Sequence, residues 1–310
     1  RGLGDVYKRQ RMMVEIMTKG RVSVVRGTDR YITVAVDECD NWSVKGVMFH
    51  CDDSQGIQYG SMLEMILNMD RIFDSMSCPK QTFQMRHFPG TNPPDFVTRI
   101  SKEKERKGKR STFRIYVQYR YHASWQGLIH WEDGDRQESF ESMLQLILLM
   151  NKMLRGDFLM GQEGEPMNSF HVAIDDYESG RIMGNYQNIP ADLTERHDVL
   201  ADLAGTLGSF MDIRASKEKI PKYGVKYGRL ISNEACSMCR RGGQTATFSI
   251  KVMFREHSTW QGIIYWREGR VEQPFRSYKE MLYLMVSAIG MPQVSSGNMV
   301  EEMPKIALGS

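Results

Sequence analysis

Apolar and polar positions alternate most cleanly near the end of the chain. Phe248, Ile250, Val252 and Phe254 fall on one side of a period of two; Ser249, Lys251, Met253 and Arg255 fall on the other. That period predicts a half-buried strand. Glu256-His257-Ser258 is turn-like, and Trp260, Gly262, Ile264 and Trp266 then alternate with Gln261, Ile263 and Tyr265 as a second strand. Arg267-Glu268-Gly269 closes a second turn, where Gly accepts the dihedrals a hairpin needs. Val271–Phe275 makes a short third strand, and Pro274 places it at an edge because proline has no N–H to donate. At Ser277 the period changes. Ser277-x-x-Glu280 is a capping box, and Met281, Leu282, Met285 and Ile289 lie on one helical stripe. Gly290 and Pro292 end the helix.

The same pattern recurs. Shifting residues 113–150 by 135 places them on 248–285 without a gap, with 15 of 38 positions identical. Chance would give about two, so the chain carries a duplication signal. Fainter copies place Tyr59–Met69 against Phe140–Met150, and Val34–Asp37 against Val172–Asp175. The four copies span residues 32–74, 113–155, 170–212 and 248–290. One position is glycine in all four: Gly46, Gly127, Gly184 and Gly262. Glycine inside a strand marks a bulge or a close approach, here expected from a tryptophan on a neighbouring strand. The helices are apolar around more than one stripe, as in the run Met143–Met150, and a unit of 43 residues is too small for a core of its own. The expected fold is α+β: four βββα modules, each a three-stranded antiparallel sheet plus a helix, in two tandem pseudo-symmetric pairs.

The expected organisation follows. Residues 1–11 look like a translated sequencing-adapter artefact. Residues 12–157 hold the first module pair with an insert at 75–111. Residues 158–169 are a linker, 170–292 the second pair with an insert at 213–246, and 293–310 a flexible tail. A net charge of +3 does not by itself imply a polyanion partner. Five cysteines, an odd number in a long chain, are no disulfide framework and fit a cytoplasmic setting. No apolar run approaches the ~20 residues of a membrane helix. Most of the 23 methionines fall at helical core spacing, as adaptable filling or as a pliable binding surface.

Candidate chemistry is sparse. Cys236-Ser-Met-Cys239 is metal-like, but zinc needs further ligands that the chain does not offer at recognisable spacing. No metal site and no cofactor is expected. His122 and His257 occupy matching hairpins ahead of Trp125-Gln126 and Trp260-Gln261, with Trp131 and Trp266 following. These eight residues either bind a planar ligand or fill the module core. The acidic hairpins at Asp37 to Asp40 and Asp175 to Glu178 are solvated turns or partners for basic neighbours. The insert run at Lys102, Arg106, Lys107, Lys109 and Arg110, with Arg114, Arg120, Lys251 and Arg255, forms a candidate phosphate-contacting set; the run alternatively is a solvated loop. No GxSxG, HExxH or phosphate loop is present, and no enzyme is expected.

The WQG…W…FxS module resembles one found in uncharacterised bacterial repeat proteins. Three strands followed by a helix starting at Phe275-x-Ser277-x-x-Glu280 also resemble, in layout, the AP2 domain and the arm-type DNA-binding domain of phage integrases. That resemblance implies a sheet face in the major groove, with Arg114, Gln118, Arg120, Lys251 and Arg255 as contacts. The expectation taken forward is a non-catalytic binding or scaffold protein acting through protein–protein contact or self-association. The alternatives are nucleic-acid binding through the basic inserts and sheets, or a small-ligand sensor built on the Trp/Gln/His sets.

Overall fold

The computed structural model describes residues 31–40, 43–50, 55–92, 98–155, 169–178, 181–188, 197–198 and 242–290. In the first half run β1 (Tyr31–Asp40), β2 (Ser43–His50), β3 (Gly56–Tyr59), α1 (Met62–Ser75), β4 (Arg99–Ser101), β5 (Ser111–Tyr119), β6 (Gln126–Trp131), β7 (Arg136–Phe140) and α2 (Met143–Arg155). In the second run β8 (Ser169–Glu178), β9 (Arg181–Asn188), β10 (His197–Asp198), β11 (Ala246–Phe254), β12 (Gln261–Trp266), β13 (Val271–Phe275) and α3 (Tyr278–Ile289). Seven strands join in the order β4-β3-β2-β1-β5-β6-β7, and six in the order β10-β9-β8-β11-β12-β13.

This corrects the expected fold class. Among the described residues strand outweighs helix, in two large antiparallel sheets with three helices, and not four separate three-stranded modules each with its own helix. β1 pairs with β5 through Val34↔Phe113, and β8 with β11 through Val172↔Phe248. The cause lies in β1 and β8. Ile32, Thr33, Val34, Ala35 and Val36 are all buried, as are Phe170 to Ile174. A strand covered on both faces belongs in the middle of a sheet, with neighbours on both edges. The first insert also contributes a strand, β4, which pairs with β3 through Ile57↔Ile100. A helix expected at the end of the third copy, the 158–168 linker, most of the 213–246 insert and both chain ends lie outside the described residues.

The four glycines share one geometry with a cause other than the expected tryptophan. Gly46, Gly127, Gly184 and Gly262 each sit opposite the residue just before a register shift in the neighbouring strand. A Cβ there would lie 1.9–2.0 Å from a carbonyl oxygen of Ala35, Tyr116, Ala173 or Lys251. The tryptophans Trp131 and Trp266 instead cover Gly134 and Gly269 in the adjacent turns.

Each helix packs on its own sheet, and α2 touches α3, so both halves share one apolar core. The join is reciprocal. The N-cap residue Ser142 accepts from Gln145 N at 3.0 Å and donates to Ser258 O at 2.5 Å. Ser277, capping α3, accepts from Glu280 N at 3.0 Å and donates to Ala123 O at 2.6 Å. Each helix start thus holds the hairpin of the opposite half. A second tie is Phe88 of the first insert. It is fully buried, stacks on Phe248, leans on Trp266 at 5.5 Å, and its N–H donates to Ser287 Oγ.

Replacing Gly262 by alanine forces the Lys251 carbonyl to move. The expected loss is about 1–3 kcal/mol of unfolding free energy, the range for overpacking a filled site. Urea denaturation measures it, and a loss below about 0.5 kcal/mol would show that the bulge yields freely.

Candidate functional site

The site begins with one carboxylate in the wrong kind of place. α1 buries Ile66, Met69 and Phe73 at core spacing, and Asp70 sits among them with a side chain only 2 % exposed. An ionised group buried this deeply needs charge partners and a full set of donors. They come from three other places in the chain. Lys279 Nζ of α3 donates at 2.7 Å, Arg120 Nη2 just after β5 at 3.0 Å, Trp125 Nε1 of the β5–β6 hairpin at 2.9 Å, and the Tyr283 hydroxyl of α3 at 2.5 Å. Arg120 also donates to Asp74 at 2.6 Å and to Gln81 Oε1 at 2.5 Å. Lys279 lies 5.1 Å from the centre of the Trp125 ring and 5.6 Å from that of Tyr283, within cation–π range.

The ionisation states follow from opposed effects. Burial alone would raise the Asp70 pKa, but the Lys279 and Arg120 charges outweigh it and hold the carboxyl below its ordinary value. Burial pushes Lys279 down to about 8 against the pull of Asp70. Burial and the Asp70 charge together drive the Tyr283 phenol up, so it stays protonated as a donor. A second buried carboxylate, Glu280, accepts from Arg276 N and Arg86 N and pairs with the Arg276 side chain.

These groups stand behind an open cleft of about 390 Å³ between the halves. Asp74, Gln81, Phe83, Gln84, Met85, Arg86 and His87 of the first half line it, together with Tyr283 of the second. Lys279 and Asp70 have almost no exposed side-chain surface, so this pair shapes the wall, while Asp74, Gln81 and Tyr283 carry the network to the cleft. Phe83 remains 44 % exposed, with the Arg276 guanidinium 4.8 Å from its ring centre.

The residues expected from sequence fall elsewhere. Trp125 and Trp260 are buried, and Trp260 meets the Tyr278 ring edge-on at 5.0 Å. Gln126 and Gln261 brace their own hairpins, accepting from Tyr121 N and Glu256 N at 2.9 Å each. Trp131 donates to Ser111 Oγ at 2.7 Å, while Trp266 packs against Phe88. His122 and His257 are brought together, their rings parallel and 3.8 Å apart across the join, and burial followed by His257 lowers the His122 pKa.

The basic set is dispersed. Arg106 grips Asp37 with two bonds of 2.8 Å, and with Lys109 N also donating there the Asp37 carboxyl falls below its ordinary range. Arg114 pairs with Glu132, Lys107 lies 3.9 Å from it, and Arg110 reaches Leu154 O at 3.5 Å. Arg120 belongs to the Asp70 network. Lys102 and Lys109 face solvent, and Lys251 and Arg255 are half-buried. Cys236 and Cys239 lie outside the described residues.

Sequence reasoning missed Asp70, Lys279, Tyr283 and the segment 81–87. A signal was present: Lys279 and Tyr283 stand where the matching helix has Leu144 and Leu148. No described helix is long and apolar enough to cross a membrane. No family model, curated protein or solved structure matches the chain.

Asp70→Leu leaves two buried cations without their anion and is expected to cost about 3–5 kcal/mol in chemical denaturation. Lys279→Met costs less, because Arg120 still faces Asp70. The pH dependence has a definite sign. Between about pH 8 and 10.5 the unfolded chain holds the Lys279 proton and the native one does not. Stability from this group therefore rises with pH over that window. The rise should be present in the wild type and absent in Lys279→Met.

Proposed function

We propose that the protein is a non-catalytic binding protein whose recognition site is the cleft between the halves, and that its partner is a short segment of another protein. The observation that carries this reading is the cleft's construction. Phe83, Met85 and the Tyr283 ring offer apolar surface in an open concavity large enough for one or two side chains. Polar groups rim it. Asp74 is 60 % exposed and uses one carboxylate oxygen on Arg120, which leaves the other for a ligand. The charged groups behind the wall are engaged with one another and keep its shape, so a ligand meets a preformed surface. An apolar side chain between Phe83 and Tyr283, with a polar neighbour at Asp74, fits this arrangement.

The other readings have less support. Nucleic-acid binding through the insert and the sheet face would require Arg106, Arg114 and Arg120 to leave carboxylates they already hold. A planar ligand at the tryptophan sets would have to displace the buried rings of Trp125 and Trp260.

A displayed random-heptapeptide library selected on the full chain, with Phe83→Asp as the counter-target, tests the proposal. Enriched sequences should share an apolar residue, and synthetic copies should bind Phe83→Asp at least about tenfold more weakly, a difference of about 1.4 kcal/mol. Peptides that bind both proteins equally, or a selection that enriches nothing, would overturn it.

A further inference from the structure

Two sheets present four edges, and three are blunted. β4 has three residues and β10 two. β13 carries Pro274, whose carbonyl accepts from Arg86 Nη1 at 2.9 Å. Short strands, proline and side-chain cover are the ordinary means of closing a sheet edge. The fourth edge, β7, has five residues and no proline, and it ends its sheet without a partner among the described residues.

The direction of the β7 backbone groups follows from β13. Pro274 pairs with Ile263 but has no N–H, and its carbonyl is held from outside the sheet by Arg86. Position 274 therefore points its backbone groups outward. Ser139 occupies the same register, opposite Leu128. In an antiparallel ladder such positions alternate, so Ser139 and Gln137 both present N–H and C=O to the outside.

We propose that β7 pairs antiparallel with β7 of a second copy of this chain, joining two seven-stranded sheets across a twofold axis through Glu138. Gln137 of one copy then lies opposite Ser139 of the other, and all four outward groups on each strand find partners. The side chains support this choice of occupant. The buried side-chain oxygen of Gln137 has no hydrogen-bond partner, and the register sets a Ser139 hydroxyl opposite it. Arg136 pairs with Glu138 on its own strand at 2.6 Å; Arg136 is exposed and Glu138 half-buried. Across the axis each Arg136 is diagonal to the Glu138 of the other copy, within reach of a long side chain. The two Glu138 carboxylates are thus flanked by two guanidinium groups. This pairing does not depend on the cleft.

Size-exclusion chromatography with light scattering on the full chain tests it. The wild type should run at twice the 35.8 kDa chain mass at micromolar concentration and above. Ser139→Pro should halve that mass while the variant still unfolds in one cooperative transition as a folded monomer, because the β13 counterpart already carries proline there, and its midpoint should lose the concentration dependence of the wild type. Glu138→Cys supplies an independent reading: oxidation should link two copies through the axial residue, beyond any background from the native cysteines. A wild type that stays monomeric, a Ser139→Pro variant that stays dimeric, or a dimer that Glu138→Cys does not link would each overturn the proposal.

Discussion

A single buried carboxylate fixes how the two halves meet. Asp70 lies on α1, yet its donors come from the β5–β6 hairpin of the same half and from α3 of the other. Hydrophobic contact alone is tolerant of sliding, since one methionine or leucine fills a gap much as another does. A desolvated anion is not tolerant, because each lost donor leaves a charge or a polar group unmatched in a medium of low dielectric. Lys279 and Tyr283 are one turn apart on α3, so sliding α3 past α1 by one turn would take at least one of them from Asp70. The Met- and Leu-rich core supplies the driving force for joining the halves, and Asp70 selects one alignment among the many that core would accept.

Around that selected alignment the molecule is nearly two-fold, and its departures from two-fold are informative. Ser142 and Ser277, the two hairpin residues with positive φ on each side, and the stacked His122 and His257 all match across the join. Lys279 and Tyr283 do not, since Leu144 and Leu148 hold the corresponding places in α2. Pro274 and Ser139 differ likewise. The hydrogen bonding at the helix starts matches across the join, whereas residues beside the cleft and at the sheet edge differ.

The strands and the helix caps were legible because they are local. Period-two alternation placed β11 and β12, and Ser277-x-x-Glu280 placed the start of α3. The joining of sheets was written less openly. Ile32–Val36 and Phe170–Ile174 are buried throughout although each carries one polar residue, Thr33 or His171, and burial on both faces belongs to a central strand. The candidate site was hidden for a different reason. Asp70, Arg120 and Lys279 are separated by 50 and 159 residues along the chain, and each alone looks like a surface charge on an amphipathic element. Only the fold brings them together. Trp125 and Trp260, conspicuous in the sequence, are buried in the core, with Trp131 and Trp266 packed against it.

Charge in this protein is directed inward, and that explains why a conspicuous basic run makes so little of a basic surface. Arg106 lies against Asp37, and Thr33 of β1 donates to Glu105 at 2.7 Å, so the run from 102 to 110 is laid over the outer face of the first sheet. Thr33 and Ala35 are buried on that side, Ala35 together with Val47 and Phe49. The glutamates interleaved in the run are therefore structural: Glu103 holds Arg106 at 2.6 Å while Glu105 takes the Thr33 hydroxyl. A run made only of lysine and arginine would repel itself and leave the strand uncovered. Alternating signs let a polar loop close over an apolar sheet, and the same residues that resemble a polyanion site in one dimension serve as a lid on β1 in three.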